Sequence, residues 1–334
     1  MDLRTEYLGL QLPHPFVVGA SPLADDIDMA RQLEDAGAAA LVMRSLFAEQ
    51  IVRESLGAYL DGQPREGSLA ERPGFVLPSG AFVLSPDVYL TQLDALKQVL
   101  DIPVIASLNV TGPGRWLEYA PLLEAVGADA LELNLHPGGA ELTRSSADIE
   151  ADLLEAVRAV RAAVKIPVAV KLPSCFAGLA ALAREMQDAG ASALVLFNRA
   201  QPADIDPAGL VPVPPQQISR GAELPLRLRW LAILSCRLTI PLAASGGIHD
   251  EMAAIKALMA GARVVQMVSA VLARGPLHLR EVRTAMEDWM GRHGYDSIAR
   301  LRGSMDLEAC PDPAAYERAT SILSLQRYTA GRGE

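Results

Sequence analysis

The chain has 334 residues, 50% of them hydrophobic and 21% charged, and its 30 basic against 40 acidic side chains leave a formal charge of −10. This is the composition of a soluble globular protein, long enough for two ordinary domains or for one α/β barrel of roughly 250 residues with insertions. It lacks the basic stripe through which nucleic-acid binders displace counterions from phosphates, so small molecules are the expected partners and nucleic acid is not.

The N-terminal stretch MDLRTEYLGLQLPHP carries charge from Asp2 onward and has no apolar core of signal-peptide length. No later run reaches the roughly 18 apolar residues of a membrane span. Cys175, Cys236 and Cys310 form no CxxC pair and supply neither a disulfide framework nor ligands for zinc or an iron–sulfur cluster. A cytoplasmic protein without a membrane or metal partner is the expectation.

Taken along the chain, apolar runs predict eight strands, at 15–21, 39–45, 103–109, 130–136, 167–173, 193–198, 241–247 and 264–270. Helical patterns follow at 27–36, 87–100, 115–126, 146–164, 177–189, 225–237, 250–260 and 276–293. Two short repeats punctuate them. DAGAAALVM (35–43), AVGADALEL (125–133), DAGASALVL (188–196) and MAGARVVQM (259–267) each read as a helix end, a glycine that can adopt a left-handed turn, and a buried strand. DIPVIASLN (101–109), KIPVAVKLP (165–173) and TIPLAASGG (239–247) each read as a proline that stops a helix and admits a strand. The strands are continuously apolar rather than alternating, as in a parallel sheet covered on both faces. Eight strand–helix units predict a single-domain (β/α)8 TIM barrel over residues 1–303, with long βα loops at about 46–86 and 199–224 and a polar C-terminal extension at 304–334.

In such a barrel the carboxyl ends of the strands carry the chemistry. The candidates there are Ser21, Arg44, Asn109, Asn134, His136, Lys171, Cys175, Asn198, Ser245 and Ser269. Ser245, Gly246 and Gly247 close strand seven and open a helix, so backbone N–H groups can approach an anion; Ser269 and Ala270 follow strand eight. The pair suits a phosphate, whether of a substrate or of a flavin nucleotide. Lys171 ends an apolar strand, where a charge is costly unless it faces a polar pocket. It could stabilise an anionic flavin or enolate, or attack as a neutral amine to form a Schiff base, as in a phosphate-ester lyase or aldolase. Asn109 and Asn134 could fix the edge of a heterocycle or cap a loop. Arg44 suits either an anionic group or a structural ion pair. His136 could serve as an acid or base, or simply hold a loop, and Cys175 becomes a nucleophile only in an electropositive setting.

The ordered segments VVGAS (17–21), ELNLHP (132–137), VAVKLPSCF (168–176), ASGGI (244–248), VQMVSA (265–270) and GYDSIARLRG (294–303) resemble the dihydroorotate dehydrogenases, over about residues 7–303. The resemblance implies an FMN-containing barrel that oxidises a CH–CH bond, dihydroorotate to orotate in pyrimidine synthesis, without a membrane anchor. It implies that Ala20 and Ser21 line the flavin, with Arg44 where the family carries a lysine. Asn109 and Asn134 would lie at ring and substrate, Lys171 at the flavin's polar edge, and Asn198 at the substrate. Gly221, Ser245, Gly246, Gly247, Ser269 and Ala270 would hold ribityl and phosphate. The chain departs from the family where the catalytic cysteine or serine loop reads Asn134, Leu135, His136, Pro137, Gly138, Gly139. It departs also where LPSGAFVLSP (77–86) replaces an asparagine-bearing substrate segment, and where Arg199 replaces a small polar residue. These departures touch proton abstraction more than flavin binding, so FMN is a firmer expectation than dihydroorotate. An alternative that keeps the barrel but loses the base is a non-catalytic flavin-binding protein. The residues name no electron acceptor, and a barrel of this size allows a homodimer.

Overall fold

Each glycine of the first repeat lies just past a helix in the left-handed region: Gly37 at φ 90°, Gly127 at 108°, Gly190 at 99° and Gly261 at 108°. Their amides turn back to the helices they end, Gly37 to the Glu34 carbonyl at 2.8 Å and Gly261 to that of Leu258 at 2.9 Å. A Cβ would strain this backbone, and at Gly261 it would also lie 2.3 Å from Ser235 Cβ, where two helices meet.

The computed structural model describes residues 1–47, 85–112, 114–137, 141–199, 204–207, 211–213 and 218–308, and positions 312, 318, 319, 322 and 326. The expected loop segment 77–84, Gly138, Gly139 and Cys310 lie outside the described residues. A hairpin, β1 (Thr5–Tyr7) and β2 (Leu10–Leu12), precedes β3 (Phe16–Val18) and α1 (Ile27–Asp35). The second barrel strand comes in two pieces, β4 (Leu41–Val42) and β5 (Leu46–Phe47), followed by α2 (Pro86–Val99). Next come β6 (Val104–Val110), α3 (Tyr119–Val126), β7 (Ala130–Leu135), α4 (Ser146–Ala163), β8 (Val168–Leu172), α5 (Leu179–Asp188) and β9 (Ala193–Leu196). A second hairpin, β10 (Asp204–Asp206) and β11 (Val211–Val213), precedes α6 (Leu224–Leu234), β12 (Leu242–Ser245), α7 (Glu251–Met259) and β13 (Val264–Met267). The chain then forms α8 (Ser269–Arg274), α9 (His278–Arg292) and α10 (Ile298–Leu301).

The sheet is parallel and runs β4-β3-β13-β12-β9-β8-β7-β6-β5, and the pairing of β4 with β6 closes it. With β4 and β5 counted as one strand, this is the eight-stranded barrel that the repeats predict. Caps fix the helix starts. The Asp26 carboxylate accepts from the amides of Asp28 and Met29, and Ser145 and Asp148 form a reciprocal box at the start of α4. Beyond α10 the chain is tied to the helical layer, with Met305 N–H on the Met259 carbonyl and Leu307 N–H on that of Ala232.

The N-terminal part of the fold carries no repeat signal. The N-terminal hairpin turns at Leu8 (φ 55°) and Gly9 (φ 72°), both positive as a two-residue hairpin turn requires. Its Tyr7, Leu8 and Leu12 pack inside the barrel's amino end against Val17, Val42 and Ile105 and a ring of alanines, Ala130, Ala169, Ala193 and Ala243. The alanines leave the room that the hairpin fills. Among the described residues no helix is long and apolar enough to cross a membrane.

Candidate active site

Strand register builds the site. Asn109 on β6 stands beside Asn134 on β7, which stands beside Lys171 on β8. One layer deeper, Ser107 stands beside Glu132 and Glu132 beside Ala169. All of these polar side chains except Asn134, which is half-buried, are buried in a barrel interior that is apolar at its other end. Lys171 and Glu132 meet Gln266 of β13 across the axis. The Lys171 ammonium donates to Glu132 Oε1 at 3.3 Å and to Gln266 Oε1 at 3.2 Å, and Gln266 Nε2 donates to Glu132 Oε2 at 2.6 Å. Lys171 is thus paired with a carboxylate and an amide oxygen rather than left facing the cavity alone.

Above this triad opens a cavity of about 550 Å³ at the carboxyl ends of the strands. Ala20, Ser21, Arg44, Asn134, His136, Lys171, Asn198, Ser245, Gly246 and Ser269 all line it, so the structure brings together most of the residues singled out from the sequence. Asn109 is buried beside Asn134 and outside the lining, and Gly247 and Ala270 are buried outside it as well. Cys175 and Gly221 are exposed and outside the lining.

Several polar atoms here meet no partner among the described residues. Ser21 Oγ, Asn109 Nδ2, Asn134 Oδ1 and Arg44 Nε are buried without a hydrogen-bond partner among the described residues. Each such group costs free energy unless something else satisfies it, and Ser21, Asn134 and Arg44 line the cavity, which makes it a candidate ligand site. Arg44, which lines the cavity, is ion-paired with Asp25, as the structural reading of that residue expects.

On the opposite wall, Gly246 (φ 90°) and Gly247 (φ 80°) turn the chain from β12 toward α7. A Cβ on Gly247 would lie 2.8 Å from the Leu224 amide nitrogen, and one on Gly246 2.7 Å from the Arg227 guanidinium. Only glycine fits both positions. Ser219 ties this turn to the end of β13: its hydroxyl contacts Ser269 Oγ at 2.8 Å and accepts from Gly247 N–H at 3.3 Å. His249 also reaches Ser219 Oγ, at 3.4 Å. The buried Arg227 donates to the Ser245 carbonyl at 2.9 Å and pairs with Glu223 at 3.2 Å. Burial lowers its pKa, and the Glu223 charge opposes that shift.

At the mouth, His136 stacks on Phe47 with ring centroids 6.4 Å apart, and Asn198 Nδ2 lies 3.2–3.3 Å from its ring nitrogens. Asn198 also donates to the Leu135 carbonyl at 3.4 Å. Arg199 pairs with Glu223 at 3.5 Å.

The sequence reading passed over Glu132, Gln266, Ser219, Arg227 and Phe47. For Glu132 and Gln266 the signal was present, a polar residue inside an apolar strand, and it is the same signal that drew attention to Lys171.

A parallel barrel with a layered polar interior, a two-glycine turn after its seventh strand and a cavity at its strand ends has the architecture of a TIM-barrel enzyme. The family model described as dihydroorotate dehydrogenase matches residues 80–290, and the chain belongs to that family of dehydrogenases. It is 29% identical over 300 residues to the catalytic subunit of dihydroorotate dehydrogenase B (NAD(+)) of Methanosarcina mazei, covering 88% of this chain and 92% of the relative. The subunit of the same name from Pyrococcus furiosus is 26% identical over 314 residues, covering 91% and 98%.

Proposed function

We propose that the protein is an FMN-dependent dehydrogenase that oxidises a CH–CH bond of dihydroorotate or a closely related dihydro-substrate. The observation that carries this reading is that Ser21 Oγ and Asn134 Oδ1, buried and without a partner among the described residues, lie on a cavity that also holds Lys171 and Gly246, with Asn109 Nδ2 likewise unpartnered beside Asn134. A flat, polar-edged ring with a phosphate tail satisfies both sides of the cavity. We read residues 1–303 as the catalytic barrel and 304–334 as its extension.

When bound, FMN supplies a hydride acceptor. The protein's own groups do the rest. Gly246, Gly247, Ser269 and Ala270 hold the phosphate end through backbone and hydroxyl donors. Ala20 and Ser21 line one edge of the ring, Asn109 and Asn134 fix its polar edge, and the Lys171 ammonium stabilises negative charge that develops there. Asn134 and Asn198 orient the substrate. His136, held between Phe47 and Asn198, takes the substrate proton in place of the family's cysteine or serine, a task for which an imidazole is chemically suited. Cys175 and Gly221, exposed and off the cavity wall, are assigned no part. The relatives are subunits named for a reaction with NAD(+), and we infer that this chain likewise passes its electrons to a separate acceptor.

The test is anaerobic addition of dihydroorotate to the FMN-loaded protein. Bleaching of the flavin band, slowed about 100-fold or more in His136→Ala, supports the assignment. A band that persists with dihydroorotate and with related dihydropyrimidines contradicts the substrate class.

A further inference from the structure

The structure assigns Glu132 and Gln266 as positioning residues that hold the Lys171 ammonium at the barrel axis and offset its charge, and through it they set the reduction potential of the flavin. The inference rests on the flavin reading above and concerns residues to which that reading gives no role. It starts from the closed ring of hydrogen bonds. Gln266 Oε1 accepts from Lys171, Gln266 Nε2 donates to Glu132, and Glu132 accepts from Lys171, so the orientation of each side chain is dictated by the other two. All three are buried, with Glu132 1%, Gln266 2% and Lys171 7% exposed.

Lys171 lines the cavity and Glu132 does not. An ammonium has three donors, and two of those on Lys171 point at this ring, which leaves one for a ligand above. Glu132 therefore acts on a ligand only through Lys171 and through its own field. Inside a barrel, where water is excluded, that field is weakly screened. The flavin's polar edge becomes more negative on reduction, so an unopposed ammonium beside it favours the reduced form and a paired ammonium favours it less. A carboxylate at this position thus tunes how readily the flavin accepts electrons, and how readily it gives them up again.

Glu132 is also placed where no structural need for charge exists. The layer beneath it is apolar, formed by Val17, Val42, Ile105 and the alanine ring. Replacing a buried ion pair by apolar residues is often neutral or stabilising, so such a pair is poor evidence of a role in stability alone.

The experiment is the two-electron potential of bound FMN, read by equilibration with a reference dye in wild type, Glu132→Gln and Glu132→Asp. Glu132→Gln keeps the shape and removes the charge. The expected result is a shift of about tenfold in the equilibrium toward reduced flavin, about 30 mV. Glu132→Asp keeps the charge at a greater separation and is expected to shift in the same direction by less. A purely structural role predicts no ordered shift between the two variants. If Glu132→Gln does not fold, an upward shift in Glu132→Asp supports the inference and an unchanged potential overturns it. Variants that hold FMN at the wild-type potential overturn this inference and leave the flavin reading standing. A wild-type protein that takes up no FMN overturns both.

Discussion

The two ends of the barrel interior are built from opposite materials. At the amino end, Tyr7 and Leu12 of the N-terminal hairpin meet Val17, Val42, Ile105 and small alanines in an apolar plug. At the carboxyl end, the same strands carry Ser107, Asn109, Glu132, Asn134, Lys171 and Gln266. One strand can serve both, because successive inward residues climb the barrel: β7 presents Ala130, then Glu132, then Asn134. The plug satisfies itself, apart from the Tyr7 hydroxyl, whose ionisation is suppressed by burial and by the Glu132 charge. At the upper end Ser21 Oγ, Asn109 Nδ2 and Asn134 Oδ1 are buried without a partner among the described residues. The lower end is closed by packing and the upper end opens into the cavity.

That division can be broken at either end, and the largest effect is expected above. Lys171→Met should slow flavin reduction by substrate about 1,000-fold in the folded fraction, since it removes a charge aimed at the developing anion, and by leaving Glu132 buried without its partner it should also cost about 3–5 kcal/mol of stability; stopped-flow and urea unfolding check both. Leu12→Ala should spare the chemistry. It removes a fully buried side chain from the plug and should cost about 3 kcal/mol in urea unfolding, with the rate of flavin reduction unchanged in the folded fraction.

A subtler effect is expected at His14, which is buried beside Phe16 at the amino end. Burial, and secondarily the charge of Arg283, lowers its pKa from 6.5 to about 4. The folded state therefore holds this imidazole neutral. Its contribution is fully present above the unfolded value near 6.5 and is lost as pH falls through about 4, because the unfolded chain takes up the proton first. The loss relative to a His14→Leu variant should approach about 3 kcal/mol between those limits, measured as unfolding free energy against pH. Equal slopes for the two proteins would sink the assignment. The smallest effect should come from Gly247→Ala, which must adopt φ 80° against the Leu224 backbone. About a tenfold loss of FMN affinity is expected by titration, with riboflavin, which lacks the phosphate, affected less.

Much of the fold was legible because buried parallel strands read as uninterrupted apolar runs and because glycine and proline mark every helix exit. The N-terminal hairpin was not, since strands as short as Thr5–Tyr7 and Leu10–Leu12 leave no periodicity to read. Neither was the short helix Ser269–Arg274, hidden in what reads as the end of the last strand. In the site, Lys171, Asn109 and Asn134 stood out as polar strand ends. The Lys171–Glu132–Gln266 ring did not, because Glu132 and Gln266 lie 134 positions apart in sequence and become neighbours only when the barrel closes. Sequence reveals which residues are out of place in an apolar run; closure decides which of them meet.

The most direct test of the account is the visible spectrum of the purified protein after incubation with FMN and removal of free flavin. A retained flavin band, one equivalent per chain, is the result expected if the unpartnered groups at the carboxyl end exist for this cofactor. A folded protein that emerges colourless would contradict it.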